Sequence, residues 1–251
     1  MRNRLERIWK ISHVDFKKRY SNDLLGLFWA LLKPLFRMAV YYFVLSKILG
    51  VREENHAFIL FSGLIIWMTF AESTNRGINL LRAKSYLISS IQLNKLDIFI
   101  ANVITVFISF IFNLTIYTLC AYLFGITFTI HLLYLPIILL IIFMFCMGFS
   151  LILSIINLFV KDIQHLWSMI LLFGFWTAGV FARSDIFITK FPPLKFLHPF
   201  VGIISNSRNI LLHSSAVDIP YLWFSFFYGA IILVIGLFVF DKYSHLAIEK
   251  I

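Results

Sequence analysis

Long apolar stretches alternate with short polar, mostly basic segments along the chain. Six stretches stand out, at 27–49, 57–74, 98–124, 132–160, 163–182 and 219–240. A helix needs about 20 mostly apolar residues to cross a bilayer. The first stretch is interrupted by Lys33, Pro34 and Arg37, the second is short, and the fourth carries no charge. The 125–131 link is tight, so the third and fourth stretches should form a helical hairpin. The pattern predicts an all-α membrane protein with six transmembrane helices in one domain spanning 1–251.

Three segments do not fit a crossing. At 100° per residue, segment 3–22 puts Leu5, Ile8, Trp9, Phe16 and Tyr20 on one helical face and Arg7, Lys10, Lys17 and Lys18 on the other. This predicts an amphipathic helix in the headgroup layer, either a plain anchor or a collar that also meets a partner. The loop 76–95 mixes Ile78, Leu80, Leu81, Leu87, Ile88 and Ile91 with Arg82 and Lys84. A solvated turn has no use for so many large apolar groups. The loop either docks into a groove of a soluble partner or lies flat on the membrane. In 184–218, Pro192, Pro193 and Pro199 together with Lys190, Lys195 and Arg208 prevent a clean crossing. Two short helices dipping into the outer leaflet would suit it, as a gate or as a packed structural loop.

Composition narrows the class. Of 251 residues, 61% are hydrophobic and only 14% charged, with a mean hydropathy of +0.90. So few charges cannot cover a water-facing surface, which excludes a soluble enzyme, a disordered chain and a disulfide scaffold. The net charge of +10 need not mean nucleic acid. The basic residues cluster between apolar runs, where they set topology and touch anionic membrane lipids. With six spans, fourteen Lys/Arg fall on the side of both termini and six on the other. Both termini are therefore expected in the cytoplasm. The opening residues have no signal-peptide core, and Cys120 and Cys146 lie within apolar runs, so no structural disulfide is expected.

No catalytic constellation emerges. No two of the seven histidines stand three or four apart, so no helical metal site is expected. GxxxxGK[ST] and GxSxG are absent. Carboxylates are nearly missing from span interiors, with Glu72 and Asp97 at span ends and Asp162 in a turn. That disfavours an ion-coupled carrier and an intramembrane enzyme. Arg37, one turn into the first span, is either a functional cation or one that snorkels with Lys33 to the cytoplasmic interface. Aromatics are dense at Tyr41, Tyr42 and Phe43, at Phe173, Phe175 and Trp176, and at Phe224, Phe226, Phe227 and Tyr228. Sugar C–H faces slide over such rings without fixed hydrogen bonds, so a pathway lined this way suits a carbohydrate better than an ion.

At 15–35 (DFKKRYSNDLLGLFWALLKPL) the chain resembles the permease subunit of ABC-2 type polysaccharide exporters, the group handling O-antigen, capsule and teichoic acid. The likeness continues through 75–87 (NRGINLLRAKSYL), 160–162 (VKD, where the family usually has Arg-Asp), 191–211 (FPPLKFLHPFVGIISNSRNIL) and the tail 240–251. His198-Pro199 stands where Asn-Pro is frequent, and 177–181 (TAGVF) lacks a proline common in the family. The resemblance implies a homodimer bound to two copies of an ATP-binding subunit, which carries the ATP and Mg; this chain needs no cofactor. It implies that 3–22 is an interface helix and that 76–90 is a coupling helix presenting Arg76, Ile78, Leu81, Arg82, Lys84 and Tyr86. It also implies an external gate at 184–212 with Pro192, Pro193, His198, Pro199 and Arg208. The implied substrate is a polysaccharide on a polyprenyl-diphosphate or other lipid carrier, moved across the bacterial cytoplasmic membrane. Arg37 would meet the diphosphate, and Tyr41, Tyr42, Phe175 and Trp176 would guide the glycan. The alternatives are an ABC-2 permease for a small drug or lipid, an intramembrane lipid or sugar transferase, and a non-transporting scaffold.

Overall fold

The computed structural model describes residues 4–20, 26, 28–86, 94–181 and 198–245. All secondary structure among them is helical. Helix α1 is Arg4–Tyr20, and α2, Phe28–Tyr42, continues as a π-helical segment, Phe43–Ile48. Then follow α3 (His56–Ile78), α4 (Leu80–Ala83), α5 (Lys95–Leu123), a short 3-10 segment (Ile130–Tyr134), α6 (Leu135–Phe159), α7 (Ile163–Thr177), α8 (Pro199–Leu211) and α9 (Ile219–Tyr243).

Local chemistry sets several boundaries. The Asn94 side chain accepts from Leu96 N at 3.0 Å and opens α5, and Asp218 accepts from Tyr221 N at 3.2 Å and opens α9. Prolines sit in the first turns of α6, α8 and α9, where a missing N–H costs nothing. Pro34 inside α2 is different, because it cannot donate to Ala30 O one turn back. Asn113 of α5 supplies the donor instead, its Nδ2 lying 3.1 Å from Ala30 O. Gly125 ends the α5 hairpin arm with φ +85°, a conformation that disfavours any side chain.

Five segments are long and apolar enough to cross a membrane: Phe28–Ile48, His56–Ile78, Lys95–Leu123, Ile130–Phe159 and Ile219–Tyr243. The expected fifth span at 163–182 is shorter: α7 has 15 residues, about 22 Å of helix against a hydrocarbon core of about 30 Å. Gly179, at φ +77°, turns the chain just beyond it. Other bounds shift by a turn, since the second span runs on to Ile78 and the third starts at Lys95.

Burial ranks these helices. In their most apolar stretches, 72% of α3 and 61% each of α5 and α6 are buried, against 17% of the α2 segment and 22% of α9. The core is therefore α3, α5 and α6, with α2, α7 and α9 around it. Helix α9 packs closely on α6 because Gly148 and Gly236 face each other; a Cβ on Gly236 would lie 2.7 Å from Gly148 O. Helix α1 lies along α5. Its Ile8 and Ser12 are buried there, while Leu5 and Trp9 point outward at 76% and 57% exposure. The expected single apolar face is thus divided between protein and surroundings.

Candidate functional site

Three structural features converge on the bundle's possible work: a corner around α4, a run of aromatic rings, and a buried arginine at the opposite end.

The corner begins where α3 stops. Asn79 breaks the helix, and α4 folds back so that Leu80 and Leu81 are buried with Ile78. The carbonyls left open at the end of a helix must find donors. Asn157 of α6 donates to Ile78 O at 2.9 Å, and Arg82 donates to Asn157 O at 2.8 Å near the end of α6. The positive guanidinium also suits the negative pole of that helix. Asn79 donates to Gln164 Oε1 of α7 at 2.9 Å. Lys84 pairs with Asp15 of α1 at 2.5 Å. Helix α1 is tied at both ends as well. Asp97, fully buried, takes Arg4 at 2.7 Å and also Arg7, while Arg19 pairs with Glu72 of α3 at 2.5 Å. The segment after α3 is therefore joined to α1, α6 and α7 by polar contacts rather than hanging free.

This arrangement corrects the expected single coupling helix. Arg76 and Ile78 belong to the last turn of α3, and Arg76 lies 3.7 Å from Glu72. Ile78 and Leu81, each 1% exposed, are core residues of this chain and cannot be the docking face. Tyr86 is 78% exposed, Ala83 is exposed and Lys84 half-buried. Residues 87–90 lie outside the described residues.

The aromatic run starts on α2. Tyr41 lies 5.7 Å from Phe175 and 4.9 Å from Phe181, and Trp176 stacks on Phe181 at 4.6 Å (ring centroids). Phe175 reaches Trp67 at 6.5 Å, and Trp67 reaches Phe200 at 5.2 Å. Beyond it Phe70, Phe145 and Tyr228 border a cleft of about 230 Å³. The structure brings Tyr41, Phe175 and Trp176 together around Phe181. Tyr42 turns the other way, toward His56 at 6.0 Å. Trp67, Phe181 and Phe200 join the run although they lie in no dense aromatic cluster of the sequence. Arg37 is exposed on α2. Lys33, one turn before it, lines a small cavity of about 50 Å³ with Arg19 and Glu72.

The third feature is Arg208 of α8, 3% exposed. It donates to Gly179 O and Val180 O at 2.8 Å and to Ile59 O at 2.9 Å. The charge thus sits against the negative end of α7 and pins the turn after α7 to the first turns of α3. Burial lowers Arg208 to about 10, so it stays charged at neutral pH. Gly63 makes the approach possible, since a Cβ there would lie 2.9 Å from the guanidinium. Arg208 is therefore an internal clamp, not a group facing a pathway. His198 and Pro199 start α8. His198 packs 5.9 Å from Trp67, and burial lowers it to about 4, so it is neutral at physiological pH. Pro192 and Pro193 lie outside the described residues.

Residues 6–212 match the family described as ABC-2 type transporter. This chain belongs to that family. As an ABC-2 chain it is a multi-pass membrane protein and a transport subunit that works with an ATP-binding partner. It is 25% identical over 236 residues to an O-antigen export system permease protein RfbA of Klebsiella pneumoniae, covering 94% of this chain and 91% of the relative. It is also 25% identical over 222 residues to a protein of the same name from Myxococcus xanthus, covering 83% and 85%.

Proposed function

We propose that this chain is the membrane permease subunit of an ATP-driven exporter that carries a lipid-linked polysaccharide, an O-antigen, across the bacterial cytoplasmic membrane. It works as a homodimer with two copies of the ATP-binding subunit, which hold ATP and Mg, and both termini are cytoplasmic. The observation that carries the reading is the near end-to-end similarity to O-antigen export permeases. The geometry is consistent with it. Closure of the ATP-binding subunits would push on the exposed side of the 79–86 segment. Its ties to α1, α6 and α7 would pass the push to the bundle. The rings on α2 and α7 would shift with it and release a glycan whose C–H faces rest on them. Arg37 and Lys33, on the basic side of α2, would meet the diphosphate of the carrier.

Deleting the chain from its host is expected to strip the polysaccharide from the cell surface and to leave lipid-linked polymer accumulating on the inner leaflet. Re-expression should restore export. Undiminished surface polysaccharide in the deletion strain would reject the proposal.

A further inference from the structure

A cavity of about 840 Å³ opens at the end of the bundle opposite α1 and α4, between the π-helical end of α2, the start of α3 and the end of α5. Neither the coupling corner nor the ring run uses it. One wall is aromatic. Tyr42 and Phe124 are 37% and 77% exposed, and Phe58 meets Phe124 edge to face at 5.6 Å. The other wall is polar, with Lys47 and Arg52 balanced by Glu53 and Glu54. Their formal charges cancel, so the cavity offers no net attraction to a phosphate or a metal ion. It offers both donors and acceptors beside ring faces. His56 lies within this wall, 4% exposed. Its Nδ1 is 3.4 Å from Glu53 Oε2, and its buried Nε2 has no hydrogen-bond partner among the described residues. A buried polar atom left unpaired is unfavourable, and His56 is one of the residues that line the cavity.

An uncharged ligand that both donates and accepts hydrogen bonds, and carries flat C–H faces for the rings, is a sugar. The volume falls in the range of about 300–1,000 Å³ typical of small-molecule sites, enough for a few sugar residues but not a polymer. We propose that this cavity is a saccharide subsite at the outer mouth, which holds an uncharged segment of the glycan as it leaves the bundle. The proposal rests on the export reading above.

The test uses the full chain in lipid nanodiscs. The probe is oligosaccharide cleaved by mild acid from the host strain's own surface polysaccharide, with inorganic diphosphate as competitor. Saturable binding is expected by calorimetry, weakened at least about fivefold in both Phe124→Ala and Tyr42→Ala, and untouched by diphosphate. Both rings are solvent-accessible, so their removal hollows no core, and matched thermal unfolding checks that the variants fold. No saturable binding, binding unchanged in both variants, or displacement by diphosphate would overturn the subsite. The deletion strain separates the two claims. Surface polysaccharide lost on deletion, with no binding to the chain, sinks the subsite alone. Polysaccharide retained on deletion sinks the export reading.

Discussion

At the scale of single residues, this protein repeatedly uses one polar side chain to satisfy backbone groups that its fold leaves open. Asn113 answers Pro34, Asn157 answers the end of α3, Arg82 answers the end of α6, and Arg208 answers the turn after α7. The carbonyls of Ala30, Ile78 and Gly179 lie in buried surroundings and would otherwise be unpaired, with no water in reach. Asn113→Leu is therefore expected to destabilise the purified chain by about 1–3 kcal/mol, the cost of an orphaned buried acceptor. Thermal unfolding in detergent reads this, and an unchanged midpoint would mean that Ala30 O finds another donor. These pairings were invisible in the sequence. Asn113 and Ala30 are 83 positions apart, and an isolated Asn in an apolar run gives no hint of which carbonyl it serves.

At the scale of elements, the 76–90 segment was legible as special but not in its form. Its excess of apolar residues signalled that it packs on something. The structure shows that the something is the chain itself for Ile78, Leu80 and Leu81. Periodicity finds a face but not its partner, because a core helix and a docking helix obey the same spacing. Two substitutions separate the roles. Ile78→Ala is expected to cost about 2–5 kcal/mol of stability through the cavity it leaves. Tyr86→Ala should leave the melting behaviour near that of the parent and lower ATP hydrolysis by the bound ATP-binding subunit. A Tyr86→Ala chain that supports full hydrolysis would remove the exposed end of this segment from the partner interface. Helix α7 gives the complementary case. Its apolar run was read as a full span, yet Gly179 ends it early and Arg208 holds the end in place.

At the scale of the whole molecule, the buried helices α3, α5 and α6 form the trunk, and the most exposed apolar surface lies on α2, α7 and α9. The distribution of basic residues along the chain predicts that α1 and the α3–α4 corner face the cytoplasm. With Cys120 and Cys146 replaced by Ala, a cysteine at exposed position Ser215 is expected to react with a membrane-impermeant maleimide in spheroplasts. One at exposed position Lys161 should react only after lysis. The reverse pattern would invert the orientation and move the coupling corner away from any cytoplasmic subunit.

The sequence by itself determined the solvent this protein lives in, the rough positions of its long helices, the asymmetry of its charge and the presence of a ring-rich pathway candidate. Each of these depends on composition or on local periodicity, which survive without a partner. Only the tertiary structure decided which rings meet, which apolar residues after α3 are core, and what Arg208 does. Those outcomes depend on helices distant in the chain approaching within a few ångströms, where close packing and the pairing of buried polar groups leave few arrangements open.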